Sequence, residues 1–321
     1  MKFLNKYLLL LLFVVMVLFS CKKESSNTIK IGILEGPSAI SFIQMIDKTP
    51  VVNGKRVEFI VKSDPQQIQA LMMRHELDFA VLPTVMAANL YNKGVDFKIL
   101  ACPVWGTLYF ISGNSQNKSF EDLSGQTISV FGQGATSDIL LQKKLKDLKV
   151  NDVKIDYSYT GNAEISEALL HKKIANAIVS EPMVSILMAK DTNLRVISKL
   201  SCEVFDGQSE KDIFAQTAFV VSGRFIEKYG LSVSSVSSAY SASCQFVNEH
   251  PDQAAKLLIK HGYMHNLTVA RHSLGLCNIR YKTAFTIERE LMQYLRVFSD
   301  FNPQTIGGKL PNRDFIYQPQ Q

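Results

Sequence analysis

The polarity of the chain switches repeatedly between two periods. Residues 28–34 (TIKIGIL) alternate polar and apolar positions, a strand signal, and Gly36-Pro37-Ser38 follows as a turn. Ile40, Ile43 and Ile46 then recur at helical spacing. Residues 56–61 read as a second strand. Asp64-Pro65 opens a helix with a capping acid and a proline at the first helical position, and Ile68, Leu71 and Met72 form its apolar face. Residues 77–82 predict a third strand running into Pro83-Thr84, and residues 97–102 a fourth. Strands separated by helices of this size predict parallel pairing with right-handed crossovers. Ligands of such sheets sit at the carboxyl ends of the strands. That rule selects Gly36 and Ser38, then Thr84, then the 103–107 turn that holds the only tryptophan, Trp105.

A second set of strands is predicted at 107–111, 127–131, 153–157, 175–179 and 194–198, with helices near 163–170 and 183–189 between them. Residues 214–221 (FAQTAFVV) are again strand-like. Beyond them the pattern turns helical, at 226–229, 234–248, 251–261, 269–276 and 286–298. The expected architecture is α/β with two sheet-bearing lobes, two crossings between them and a helical C-terminal tail. The first lobe is discontinuous, 28–109 plus 222–321, and the second spans 110–221. Gln216 and Thr217 fall at the second crossing, where strand residues face the cleft. Residues 77–84 and 174–182 echo each other weakly, each an apolar strand running into a proline before a helix.

The densest local signal is QTISVFGQGATSDILLQKKLKDL at 126–148, a strand, a glycine turn and a helix striped by Leu141, Leu145 and Leu148. Gly132 and Gly134 permit positive φ and close approach of a ligand. The corner is expected to offer free amides at Gly134, Ala135 and Thr136, with the Thr136 hydroxyl as a further contact. Simple capping by Thr136 or Ser137 is the competing reading. No Gly-Lys-Ser/Thr follows, so the corner is not a P-loop. Asp138, in the first helical turn, would compete with a strongly anionic ligand.

The first 20 residues change the picture of location. Lys2 and Lys6 precede an unbroken apolar run of 12 residues at 8–19. A spanning helix needs about 20, so the run reads as the core of a signal peptide. It ends in Leu-Phe-Ser-Cys, which resembles a bacterial lipobox and implies cleavage before Cys21 and lipid on its sulfur. Residues 21–27 form a polar tether with nothing apolar to fold. The chain of 321 residues is 46% hydrophobic and 20% charged, a globular composition. Its mild net charge of +6 includes no arginine-rich tract, which points away from nucleic acid. Cys102, Cys202, Cys244 and Cys277 are far apart with no C-x-x-C pair, and no H-E-x-x-H motif is present, so neither a metal nor another cofactor is expected. A disulfide among those cysteines is not decided by their spacing. No G-x-S-x-G elbow is present.

In order along the chain, the lipobox, the opening strand at 29–34, LDFAVLPT at 77–84, FEDLSGQTISVFGQGATSDILLQKKL at 120–145, KIANAIVSEP at 173–182 and GGKLPNRDFIY at 307–317 are similar to one family. The chain resembles the solute-binding proteins of ABC importers for nitrate, sulfonates, taurine and thiamine precursors. The resemblance implies a two-lobed, periplasmic-binding-protein-like (type II) fold that closes on ligand and performs no chemistry. It implies a small polar or anionic solute and permease subunits as partners, in a lipid-anchored extracytoplasmic monomer. It also places Glu181, of the Glu-Pro pair, near the cleft. The chain departs from the family at Lys172, where a glycine is usual, and at Ala175, where Asp is usual. Two other readings use the same fold: a biosynthetic enzyme of the pyrimidine-precursor or menaquinone-pathway type, and a surface lipoprotein that no longer binds solute. The enzymes of the first type carry a dense cysteine cluster that this chain lacks.

Anchoring is expected to rest on Cys21 alone. Cys21→Ala should leave a soluble body and move the protein out of the detergent-extracted membrane pool on cell fractionation. Retention of the variant in that pool would remove the lipobox reading.

Overall fold

A computed structural model describes residues 27–200 and 214–319. The leader, Cys21 and Cys202 lie outside those residues. Twelve strands are described: β1 (Thr28–Leu34), β2 (Val51–Val52), β3 (Lys55–Lys62), β4 (Phe79–Pro83), β5 (Phe97–Val104), β6 (Leu108–Ser112), β7 (Thr127–Ser129), β8 (Lys154–Asp156), β9 (Asn176–Ser180), β10 (Arg195–Lys199), β11 (Thr217–Ser222) and β12 (Ile279–Thr283). They form two sheets, ordered β12-β5-β11-β4-β1-β3-β2 and β10-β6-β9-β7-β8. The helices are α1 (Pro37–Ser41), α2 (Ile43–Lys48), α3 (Pro65–Met73), α4 (Thr84–Asn92), α5 (Thr136–Asp147), α6 (Asn162–Leu170), α7 (Met183–Lys190), α8 (Gly223–Glu249), α9 (Pro251–Lys260), α10 (Leu267–Leu276) and α11 (Glu288–Phe301).

Each sheet is the core of one lobe, and the expected two-lobed α/β fold is present. The crossings lie at 105–107 and 214–216, because β6 already belongs to the second sheet and β11 to the first. That shifts both lobe boundaries by several residues from those expected.

The pairing is only partly the expected parallel arrangement. β1 is parallel to β3 and β4, and β7 to β8 and β9. In contrast, β11 is antiparallel to both β4 and β5, and β6 to both β9 and β10. The crossings explain this. The chain leaves the first sheet at the carboxyl end of β5 and returns at that same end, so β11 must run against its neighbours. β6 likewise enters the second sheet from the cleft.

Two strands escape the polarity pattern. β2 and β3 form a hairpin around Asn53-Gly54, whose φ angles of 48° and 78° suit a type I′ turn. The Asn-Gly pair was the available signal. β12 extends the first sheet antiparallel to β5, in the gap between the helices expected at 269–276 and 286–298, where no strand was expected. Its Arg-Tyr-Lys centre is half-buried to exposed, as an edge strand is, and five residues are too few to establish alternation.

Local rules hold elsewhere. Asp64 caps α3, its Oδ1 accepting from the Gln66 N–H at 2.8 Å. α8 consists of two helical segments that meet at Tyr229, whose φ of −140° and ψ of 37° are not helical, in keeping with the separate helices expected at 226–229 and 234–248. On one face of the first sheet Phe42 stacks on Tyr240 from α8 with ring centroids 3.5 Å apart, amid Phe79, Phe219 and Phe225. On the other, Phe97, Phe214, Tyr294, Phe298 and Phe315 join a core that continues into the second lobe through Phe110, Ile128 and Leu141. Ile165, Leu169, Val179 and Leu187 fill a third cluster. Aromatic pairs in such cores contribute about 0.5–1.5 kcal/mol each beyond their burial.

The weak echo between 77–84 and 174–182 has a backbone counterpart. α3 and α6 are each followed by a residue with left-handed φ, His75 at 58° and Lys172 at 55°, each four positions before the strand that follows, β4 and β9. The carbonyls of Asp78 and Ala175 then accept from the antiparallel neighbours, Ser222 and Gly113. Lys172 is the position where the resembled family carries glycine, and left-handed φ strains any residue with a Cβ. Lys172→Gly should therefore stabilise the protein by about 1 kcal/mol in urea unfolding. A neutral or destabilising result would show that the turn tolerates lysine without strain.

Candidate functional site

The two crossings are bonded to each other, and this fixes the cleft. The Gln216 N–H donates to Val104 O at 3.1 Å, and Gly106 N–H to Phe214 O at 3.0 Å. The Gln216 side-chain oxygen accepts from the Thr107 N–H at 2.7 Å and from the Thr107 hydroxyl at 3.1 Å. The Asn278 side-chain amide donates to Gly106 O at 2.8 Å. Gln216 is therefore a clamp between crossings, with its side-chain carbonyl already occupied.

From this clamp the polar groups spread into both lobes. In the first, Gln216 O accepts from Thr84 N–H at 3.0 Å, and Thr217 pairs with Pro83. In the second, the Thr107 and Ser180 hydroxyl oxygens are 2.8 Å apart, and Thr107 O accepts from Glu181 N–H at 3.1 Å. Asn162, at the start of α6, brackets Ser180 by donating to its carbonyl at 3.1 Å and accepting from its N–H at 2.9 Å. Gly36, with φ 81°, closes the ring from the first lobe: a Cβ there would sit 3.8 Å from Glu181 O and from Pro182 Cδ. Ser38 is buried in the short helix that follows. Gly36, Thr84, Gln216, Thr217 and Glu181 are thus brought together around one junction.

Three hydroxyls at the expected positions are buried without a hydrogen-bond partner: Thr84, Thr136 and Thr217. Two come from the first lobe and one from the second.

The glycine corner differs from expectation. Gly134 N–H donates to Asp138 Oδ2 at 2.7 Å and Ala135 N–H to Gly132 O at 2.8 Å, so neither amide is free. Asp138 folds back over the turn and is itself buried, where it also accepts from Gln142 and from the Tyr157 hydroxyl, each at 2.8 Å. The Ser137 hydroxyl donates to Phe131 O at 2.5 Å. Neither Thr136 nor Ser137 caps the helix, whose N-cap is Ala135. Gly134, at φ 74°, has open space where a side chain would stand.

Trp105 is buried at the first crossing. Its indole N–H donates to Cys102 O at 3.0 Å and Arg280 O at 2.8 Å, and the Lys282 ammonium lies 5.2 Å from its ring centroid. Its polar handle is spent within the first lobe.

Glu181 is fully buried. Its oxygens accept from the Ser185 hydroxyl at 3.1 Å and the Ser185 N–H at 3.3 Å, at the start of α7. Desolvation pushes its carboxyl up to about 7, against the pull of those hydrogen bonds. Its charge in turn adds to the upward push that burial gives the Tyr109 hydroxyl and the Cys277 thiol. Cys277 follows α10 in the first lobe, and α7 packs against α10, so Glu181 sits where the lobes touch.

Residues 53–254 match the family model described as NMT1/THI5 like. The chain belongs to the NMT1/THI5-like family. A solved ABC transporter structure from Parabacteroides distasonis is 33% identical, over 92% of this chain and 100% of that one, with a TM-score of 0.79. The periplasmic aliphatic sulphonate binding protein SsuA from Escherichia coli shares the fold at 16% identity, covering 92% and 94% of the two chains with a TM-score of 0.71. The nitrate-binding protein NrtA from Synechocystis does so at 15% identity over 76% and 69%, with a TM-score of 0.60. No curated protein matches the chain.

This NMT1/THI5-like site also holds residues not named as ligand contacts from the sequence. Thr107, Ser180 and Asn162 matter through partners distant in sequence. Thr107 closes the selected 103–107 turn and Ser180 precedes Glu-Pro, whereas no local motif marks Asn162.

Glu181 ties stability to pH with a definite sign. Its folded pKa of about 7 exceeds the reference value of 4.5, so the folded state holds the proton more tightly. The protein should be favoured below about pH 4.5 and lose stability as pH rises to about 7, by an amount on the order of 3 kcal/mol. Glu181→Gln should remove that slope. The difference in urea unfolding free energy between the two proteins at pH 5 and pH 8 measures it directly, and parallel curves would refute the burial effect.

Proposed function

We propose that this chain is the extracytoplasmic solute-binding component of an ABC importer, tethered through lipid at Cys21, that takes a small solute between its lobes for delivery to a permease. The observation that carries the reading is the set of unpartnered hydroxyls at Thr84, Thr136 and Thr217. Native proteins rarely bury polar side chains without partners, and exceptions call for an absent ligand or water. Here they come from both lobes, at the carboxyl end of β4, the entry of β11 and the glycine corner. That distribution suits a solute that bridges the lobes and stabilises their closure. The ABC transporter from Parabacteroides distasonis and the sulphonate- and nitrate-binding proteins, all of this fold, support it.

The ligand-binding set we propose is Gly36, Ser38, Thr84, Trp105, Gly134, Ala135, Thr136, Glu181, Gln216 and Thr217, with Gln216 and Trp105 acting as supports. The lobes we propose as moving bodies hinge at 105–107 and 214–216. The membrane partner rests on the lipobox. Among the described residues no helix is long and apolar enough to cross a membrane.

The hydroxyls give a test with opposite signs. Mass spectrometry of solute released from purified protein identifies the ligand, and Thr217→Val then removes an orphaned hydroxyl in a strand where valine is well accommodated. The ligand-free variant should melt at the same or a higher temperature. Its affinity for the released solute should fall about ten- to hundred-fold, because a ligand group is left unpaired. Unchanged affinity in calorimetric titration would move the solute away from this junction.

A further inference from the structure

The three most exposed large apolar side chains among the described residues are Leu231, Val51 and Met73, at 85%, 63% and 57%. All three lie at the amino end of the first sheet, opposite the carboxyl end that faces the cleft. Val51 pairs with Arg56, and Arg56 pairs with Thr28, the first residue of β1. Met73 ends α3 shortly before Asp78, whose N–H donates to Lys30 O at 2.9 Å and whose carboxylate accepts from Lys30 N–H at 3.0 Å. Leu231 follows the break in α8, and the hydroxyl of its neighbour Ser232 accepts from the Asn53 side-chain amide, at the β2–β3 turn, at 2.9 Å. In the same turn of chain, the Tyr229 ring has the Lys55 and Lys228 ammonium groups 4.6 and 5.1 Å from its centroid. Glu76 and Asp78 at this pole are each met by an arginine, Arg74 and Arg224. Exposed Glu58 and Glu227 offset part of the remaining positive charge, so the apolar side chains are the feature that sets this pole apart. Single exposed apolar residues need no explanation, but a group of them around one pole marks a contact surface.

The chain also enters the fold here, with Asn27 O accepting from Arg56 N–H at 3.0 Å. Six residue steps separate Asn27 from Cys21. Fully extended, they reach at most about 20 Å. Resting on the lipid-anchor reading above, we propose that this pole is a contact surface for the lipid bilayer. Leu231, Val51 and Met73 enter the boundary between headgroups and acyl chains, while Tyr229 with Lys55 and Lys228 sits among the headgroup phosphates. Three apolar side chains are too few to hold a free protein on a membrane. A short tether makes the contact intramolecular, at an effective concentration on the order of millimolar, so a weak contact suffices. The first lobe is then held against the bilayer by the end opposite the cleft.

The test uses the full mature protein, purified from membranes and reconstituted into vesicles of phosphatidylethanolamine and phosphatidylglycerol. The vesicles include a phospholipid with a photoactivatable group on its acyl chain. Intact mass reports lipid on Cys21, and cross-linked peptides are mapped by mass spectrometry. The expected cross-links fall in the peptides that hold Val51, Met73 and Leu231. A triple variant, Val51→Ser with Met73→Ser and Leu231→Ser, is altered only at exposed positions. It should keep its lipid and a cooperative thermal melt, while the yield of these cross-links falls about tenfold. The wild-type map decides without the variant if the variant does not fold. Cross-links confined to residues 21–27, or found on the second lobe instead, overturn this inference and leave the anchor standing. Undiminished cross-linking of the folded triple variant also overturns it. A wild-type dimer on sedimentation that the triple variant loses assigns the pole to a second copy of the chain and overturns the lipid contact. A Cys21 without lipid overturns the anchor reading, and this inference with it.

Discussion

Two passes of the chain join the lobes, and each pass is bonded to the other before it is bonded to anything in the cleft. Gln216 does most of this, with its backbone N–H on Val104, its carbonyl on Thr84 and its side-chain oxygen on Thr107. Because Thr107 also faces Ser180 and Glu181, one residue connects the carboxyl end of β4 to the carboxyl end of β9. Side-chain networks of this kind specify one arrangement when every member is satisfied. The antiparallel course of β11 and β6, the approach of Gly36 to Pro182, and the meeting of α7 with α10 all follow from how these passes are held.

Stability and site are kept apart. Aromatic clusters pack within the apolar cores on the two faces of the first sheet, around Phe42 and Tyr240 on one side and Phe214 and Tyr294 on the other. At the junction and the glycine corner the preferences that build a core are violated: the Thr84 and Thr217 hydroxyls at the one and the Thr136 hydroxyl at the other lack partners, and the Glu181 carboxyl is buried with donors from one serine. Such violations concentrate at functional sites and are compensated elsewhere in the fold. The cost of keeping Glu181 dry is carried by the packing around it.

The alternation of strand and helix was legible because each element carries its own period, and Asp64-Pro65 marked a helix start correctly. What stayed hidden depends on partners far away. β12 is a strand because β5 offers it an edge, not because Ile-Arg-Tyr-Lys-Thr has a strong preference. β11 is antiparallel because of where the chain re-enters the first sheet. At the site, Thr84 was selected at a strand end, Thr136 at the glycine corner and Thr217 at the second crossing, but nothing local says that their hydroxyls go unpaired. The glycine corner was recognised as a turn, while the return of Asp138 onto Gly134 N–H could not be foreseen, since an acid in a first helical turn has several places to point. Asn162 and Thr107 act only through Ser180 and Gln216, and their own neighbours in sequence give no hint of it.

Strand order also dictates an order of assembly. β11 lies between β4 and β5, although every strand of the second sheet is made between β5 and β11. A chain delivered amino end first therefore presents β1 to β5 with the facing edges of β4 and β5 open, and an open edge is a template for wrong pairing. The second lobe draws its strands from one continuous stretch and has all its partners once β10 is complete. The first lobe must wait for β11, which inserts between strands made long before it. The lobe that is begun first is the lobe that is finished last.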